Sequence, residues 1–163
     1  ELDKAFRTFR NYGSQKRYYN EVVGANSRLD ELQAALLRVR LKHLDELTEE
    51  KCRIAEKYNR EIKNPLIRLP KVVDGASCVW HQYVITCEER DRLIDYLDKK
   101  DIGTIIHYPV PPHLQECYKY LGHKKGDFPK TEYLAKTVLS IPMYNGMTEE
   151  EQDVVIKAIN EFK

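Results

Sequence analysis

No two cysteines are spaced C-x-x-C: Cys52, Cys78, Cys87 and Cys117 are the only four in 163 residues, and they stand far apart. That removes zinc ribbons and thioredoxin-type redox pairs, and it fits reduced thiols in a cytoplasmic protein. No apolar run approaches the ~20 residues that cross a bilayer, and no secretory signal opens the chain. Charge of one sign is also missing. The formal balance is +1, so no global field draws the protein to nucleic acid or to an anionic membrane. Neither G-x-G-x-x-G nor a P-loop is present, nor a G-x-S-x-G elbow, and basic residues are not interleaved with aromatics as nucleic-acid binders require. His113 and Cys117 could share a helix face, but two ligands make no zinc site. Internal repeats and low-complexity tracts are absent, and so is an initiator methionine. The opening Glu1-Leu2-Asp3-Lys4-Ala5-Phe6 reads as the interior of a longer chain.

What is present is helical periodicity, then short strands. Residues 3–10 read as closing helical turns stopped by Asn11-Tyr12-Gly13-Ser14, with a polar, tyrosine-rich loop to Gly24. Lys4, Arg7, Arg10, Lys16 and Arg17 make this stretch locally basic against Glu1 and Asp3, either as a solvated face or as an anion site. Ser27 and Asp30 have the spacing of a capping box. Beyond them, Leu29, Leu32, Leu36 and Val39 form one apolar stripe, and Ala34, Leu37, Leu41 and Leu44 another. With Ile54, Ala55, Tyr58 and Ile62 continuing the pattern, the spacing predicts a helix over 27–64, kinked near Thr48. So wide an apolar surface is expected to be covered, or to drive self-association through about residues 28–48.

Further on, strands are expected at 67–69, at 79–86 with Val79, His81, Tyr83 and Ile85 on one face, and at 104–108 before Pro109. Helices are expected at 88–100, 114–121 and 131–139. A last one opens on the capping box Thr148/Glu151 and buries Val154, Val155, Ala158, Ile159 and Phe162. The fold class is α+β: a long helix and a small mixed sheet covered by helices.

Four landmarks reach further than periodicity. Asn11-Tyr12-Gly13-Ser14, the run from Gly24-Ala25-Asn26-Ser27-Arg28 to Ala35, Gly103-Thr104-Ile105-Ile106-His107-Tyr108-Pro109 with His113-Leu114-Gln115, and Leu139-Ser140-Ile141-Pro142-Met143 together resemble the DegT/DnrJ/StrS family. These are pyridoxal-phosphate (PLP) aminotransferases acting on nucleotide-linked keto-sugars. The resemblance spans essentially the whole chain. It implies a fold-type I aminotransferase, classed α/β, with residues 1–26 closing the large domain, 27–64 as a linking helix and 65–163 as the small C-terminal domain. It places the Schiff-base lysine N-terminal to this stretch, so the chain alone is expected to be inactive and to hold no PLP.

The resemblance carries roles onto single residues. Asn26 is implied to reach the cofactor phosphate of the other subunit of a homodimer; a helix N-terminus beside it would favour an anion, and a plain cap is the alternative. Arg28, read as lying in the first helical turn, would be a poor dipole partner there and so supports the interface or the phosphate, or is a surface arginine. His107 is implied to stand at the mouth of the sugar site, with Tyr108 beside it as a packing or substrate residue; His81, on a strand that could neighbour that of His107, reads by default as a core residue or a support behind the site. Lys16 and Arg17 are implied candidates for the substrate diphosphate. The implied reaction moves an amino group, commonly from glutamate, onto a keto-deoxysugar, at its 3-position, for surface polysaccharide; some family members are dehydratases instead. The alternative from another class is a non-catalytic dimerisation or regulatory module on the same fold.

Overall fold

A computed structural model describes residues 1–16 and 18–163, which divide into two compact units, 1–44 and 45–163.

The first unit begins with α1 (Leu2–Phe9). The stretch expected to be a polar loop holds a two-stranded antiparallel ribbon, β1 (Ser14–Lys16) and β2 (Tyr19–Asn20). Polar side chains at most of these positions leave no alternation to read. Helix α2 (Glu31–Leu41) follows, and α3 (Leu44–Glu61) leads into the second unit.

The single helix expected over 27–64 is thus two. The break is at Lys42–His43, whose N–H groups bond to the carbonyls of Val39 and Arg40, three residues back, in a tightened last turn. Thr48 lies within α3, and no kink is needed there. The Ser27/Asp30 capping box does not form either. Asp30 is the N-cap with no side-chain cap bond. Residue 27 is committed elsewhere, because its N–H donates to the carbonyl of Arg10. Both stripes of α2 face solvent, and none of its residues is buried.

In the second unit β3 (Ile67–Arg68), β4 (Tyr83–Cys87) and β5 (Val138–Ile141) form an antiparallel sheet in the order β3-β4-β5. Tyr83 pairs with Ile141 and Thr86 with Val138. The strand expected at 104–108 contracts to one bridge, Ile105 to Ser140. Four helices complete the unit: α3, α4 (Arg90–Asp98), α5 (Pro129–Thr137) and α6 (Glu149–Glu161). Two 3-10 turns, Pro112–Leu114 and Glu116–Leu121, replace the helix expected at 114–121.

The core is here. Tyr58 on α3, Tyr83 and Ile85 on β4, Leu93 and Leu97 on α4, Leu139 on β5 and Ile159 on α6 are fully enclosed. The Tyr58 hydroxyl donates to the Pro142 carbonyl at 2.8 Å, and burial pushes this phenol and that of Tyr83 well above the usual range. Val154, expected inside, is exposed; Gln152, Val155, Ile156, Ala158 and Ile159 are the buried residues of α6, with Phe162 buried just beyond its end. No helix is long and apolar enough to cross a membrane among the described residues.

Candidate functional site

In the first unit, two glycines bring Asn26 into place. Gly13 has φ +74°, and a Cβ there would lie 1.7 Å from the Val22 carbonyl oxygen. A Cβ on Gly24 would lie 2.1 Å from the Gly13 nitrogen. Only glycine at both positions lets the two backbones touch. The contact is locked by main-chain bonds: Ala25 N–H to the Phe9 carbonyl at 2.8 Å, Tyr12 N–H to the Ala25 carbonyl at 3.0 Å, and Glu21 N–H to the Gly13 carbonyl at 2.8 Å. Asn11 and Asn26 form an isolated bridge.

Asn26 therefore sits in extended backbone upstream of the Asp30 cap, not at a helix N-terminus, and the dipole argument for an anion there does not hold. Arg28 likewise precedes the helix. Its Nε donates to Asn26 Oδ1 at 2.8 Å, and its guanidinium lies over the Tyr12 ring, 5.6 Å from the centroid. The Asn26 oxygen is thus occupied, and its Nδ2 donors have no acceptor among the described residues. Amide donors beside a guanidinium are the chemistry that binds a phosphate monoester. Lys16, on β1, sets its ammonium over the Tyr19 ring at 4.7 Å. Arg17 lies outside the described residues.

In the second unit, His107 is half-buried and bonded at both ring nitrogens. Nδ1 is 2.9 Å from Ser140 Oγ, and Nε2 is 3.1 Å from Gln82 Nε2. Tyr108 is exposed, its ring edge-on to that of His107 at 5.4 Å. Gln82, not His81, is the neighbour of His107; His81 is exposed, and its carbonyl accepts from Lys51 at 3.4 Å. The period of two explains it. Tyr83, Ile85 and Cys87 point into the core, so 82 shares the opposite face with Val84 and Thr86. Gln82 and Ser140 were missed because hydrogen-bonding polar residues carry no pattern of their own, although Ser140 stands inside a quoted landmark.

His113 Nε2 meets Glu132 Oε1 at 3.1 Å, while Cys117 is exposed. The Gly126 N–H and then His113 hold the Glu132 carboxyl below its ordinary range. No group of three metal-ligating side chains exists among the described residues.

Comparison with known proteins extends this. The DegT/DnrJ/EryC1/StrS aminotransferase family matches residues 1–160. A pleiotropic regulatory protein of Geobacillus stearothermophilus is 44% identical over 99% of this chain and 44% of its own length. A dTDP-3-amino-3,6-dideoxy-alpha-D-galactopyranose transaminase of Aneurinibacillus thermoaerophilus is 42% identical over 99% of this chain and 44% of its own. The crystal structure of S. venezuelae DesV superposes with a TM-score of 0.89 at 39% identity, covering 98% of this chain and 43% of that one. The chain spans less than half the length of the relatives it matches.

Proposed function

The chain belongs to the DegT/DnrJ/EryC1/StrS aminotransferase family, and from that premise we propose that it is the C-terminal part of a PLP-dependent, cytoplasmic, homodimeric aminotransferase. The protein would pass an amino group from an amino acid, glutamate being the family's common donor, to a nucleotide-linked keto-deoxysugar at its 3-position. The transaminase relative from Aneurinibacillus, whose name specifies a 3-amino dTDP-sugar, supports the sugar class and the position. When bound, PLP supplies the electron sink, while the protein supplies orientation and electrostatics.

One observation carries the cofactor reading. Arg28 takes the Asn26 oxygen at 2.8 Å, so the side chain offers N–H donors outward, and these would hold the cofactor phosphate. Lys16 and Arg17 would meet the substrate diphosphate, and His107 with Tyr108 would line the sugar. The domain roles follow the same premise, with residues 1–26 closing the large domain, 27–64 linking and 65–163 forming the small domain.

The test is Asn26→Ala in the full-length protein, with affinities measured for PLP and for pyridoxal, which lacks the phosphate. Loss of a hydrogen bond to a charged acceptor is worth roughly 1.5–3 kcal/mol, or about 10- to 150-fold in affinity. PLP binding is expected to weaken by that factor while pyridoxal binding is unchanged. Equal PLP affinity in both proteins would leave Asn26 a structural residue. A full-length wild type that binds no PLP at all would favour a non-catalytic module, a reading suggested by the name of the Geobacillus relative.

A further inference from the structure

Three neighbouring segments of the second unit each contribute one polar side chain to an unbroken row. Gln82 immediately precedes β4, Ser140 is on β5, and His107 follows the Ile105 bridge. The main chain fixes their spacing. The Ile105 N–H donates to the Ser140 carbonyl at 3.2 Å, and the Ser140 N–H donates to the Ile105 carbonyl at 2.8 Å. Val84 pairs with Ser140 on the other side.

Serine, histidine and an amide in a row invite comparison with a hydrolytic triad, and the comparison fails on two counts. Ser140 is only 7% exposed, so no substrate reaches its hydroxyl. Gln82 is neutral and cannot stabilise an imidazolium as a buried carboxylate does. The row does something else. Gln82 meets the ring through Nε2, an amide nitrogen that only donates. His107 Nε2 must therefore accept, and the ring proton belongs on Nδ1, where it donates to Ser140 Oγ at 2.9 Å.

We propose that Gln82 and Ser140 are positioning residues that lock His107 as the Nδ1–H tautomer and occupy both of its ring nitrogens. This rests on the placement of His107 in the sugar site and sharpens its role there. The ring offers the substrate a fixed wall and carries Tyr108 beside it. It has no free nitrogen with which to move a proton, so acid–base work in the reaction falls to other groups.

The tautomer is directly measurable in the 163-residue chain. With ¹⁵N-histidine label at about pH 8, where an ordinary imidazole is neutral, long-range ¹H–¹⁵N correlation separates a protonated from an unprotonated ring nitrogen. Nδ1–H is expected in about tenfold excess or more, since both hydrogen bonds require the same proton position. Gln82→Glu replaces a donor by a group that only accepts, so the tautomer is expected to invert to Nε2–H. Gln82→Ala, a check should the carboxylate disturb the strand, is expected to release the ring to averaged nitrogen shifts, and Ser140→Ala to reduce the excess. An Nε2–H ring in the wild type, or an Nδ1–H ring that persists in Gln82→Ala, overturns the proposal. Failure of the underlying reading looks different. His107→Asn in the full-length protein would then leave the KM for the nucleotide sugar unchanged, whatever the tautomer.

Discussion

Residues 45–163 bury a connected cluster running from Ile54 to Phe162, whereas among the described residues of 1–44 only Thr8, Gly13 and Ser14 are buried. The second unit is held by side chains: Tyr58, Leu93, Leu97 and Leu139 are fully enclosed in one cluster with Tyr83 and Ile85 of the sheet. The first is held by its main chain. Its crossing of Gly13 with Gly24 and the bonds of Tyr12, Glu21, Ala25 and Ser27 fix the loop that presents Asn26. The two kinds of order respond to different substitutions. Apolar truncation should damage the second unit and leave the first alone.

The largest effect is expected from Leu97→Ala. This side chain is fully enclosed on α4, and truncating a buried leucine costs about 2–5 kcal/mol, because transfer and cavity terms add. Trp80, the one tryptophan, is nearly buried and stacked on Tyr83 with ring centroids 5.4 Å apart. Urea unfolding followed by its fluorescence reports on the second unit alone. A midpoint shift worth under 1 kcal/mol would mean that α4 is not packed as described.

A smaller effect separates the two capping sequences. Thr148 forms its box in full: its hydroxyl accepts from the Glu151 N–H at 3.2 Å, and the Glu151 carboxylate accepts from the Thr148 N–H at 2.8 Å. Ser27 forms none. Thr148→Ala should therefore destabilise the second unit by about 1 kcal/mol, while Ser27→Ala should leave it unchanged. Acid sharpens the contrast. The Thr148 N–H, followed by the Tyr144 hydroxyl, holds the Glu151 carboxyl below its ordinary range. A carboxyl whose pKa is lower folded than unfolded contributes stability above the unfolded value and loses it as pH falls through the folded one. Glu151→Gln should flatten that acid limb of the stability curve, and an unchanged limb would show the bond to be absent in solution.

The same contrast explains what could be read from the residues. The box at Thr148 and the stripe of Leu93 and Leu97 were legible because local pattern and tertiary packing agree there. The box at Ser27 was misread because Asn11 and Arg10 claim the main chain of Asn26 and Ser27, a partnership across Gly13 that no local window contains. The break at Lys42–His43 has neither glycine nor proline to announce it. At the candidate sites Asn26, Arg28 and His107 could be singled out through the family resemblance. What each one touches could not. The bond from Arg28 to Asn26 spans two residues outside any helical spacing, and Gln82 reaches His107 only once β4 and β5 are paired.

The smallest effect is expected from Leu37→Ala, and it tests the first unit most sharply. Leu37 belongs to an apolar stripe as regular as that of α4, yet 54% of it is exposed, and no residue of α2 is buried. An exposed leucine cut to alanine loses little transfer free energy. Alanine is also the better helix former, so the change in unfolding free energy should fall within about ±0.5 kcal/mol. Because Trp80 reports on the other unit, the measurement should follow helical circular dichroism. A loss above about 1 kcal/mol would mean that a surface covers α2 in solution. If that surface were a second copy of the chain, the loss would grow with protein concentration, since association adds to apparent stability by mass action. A loss independent of concentration would place the cover within the chain itself, and the division into a side-chain-held and a main-chain-held unit would fail.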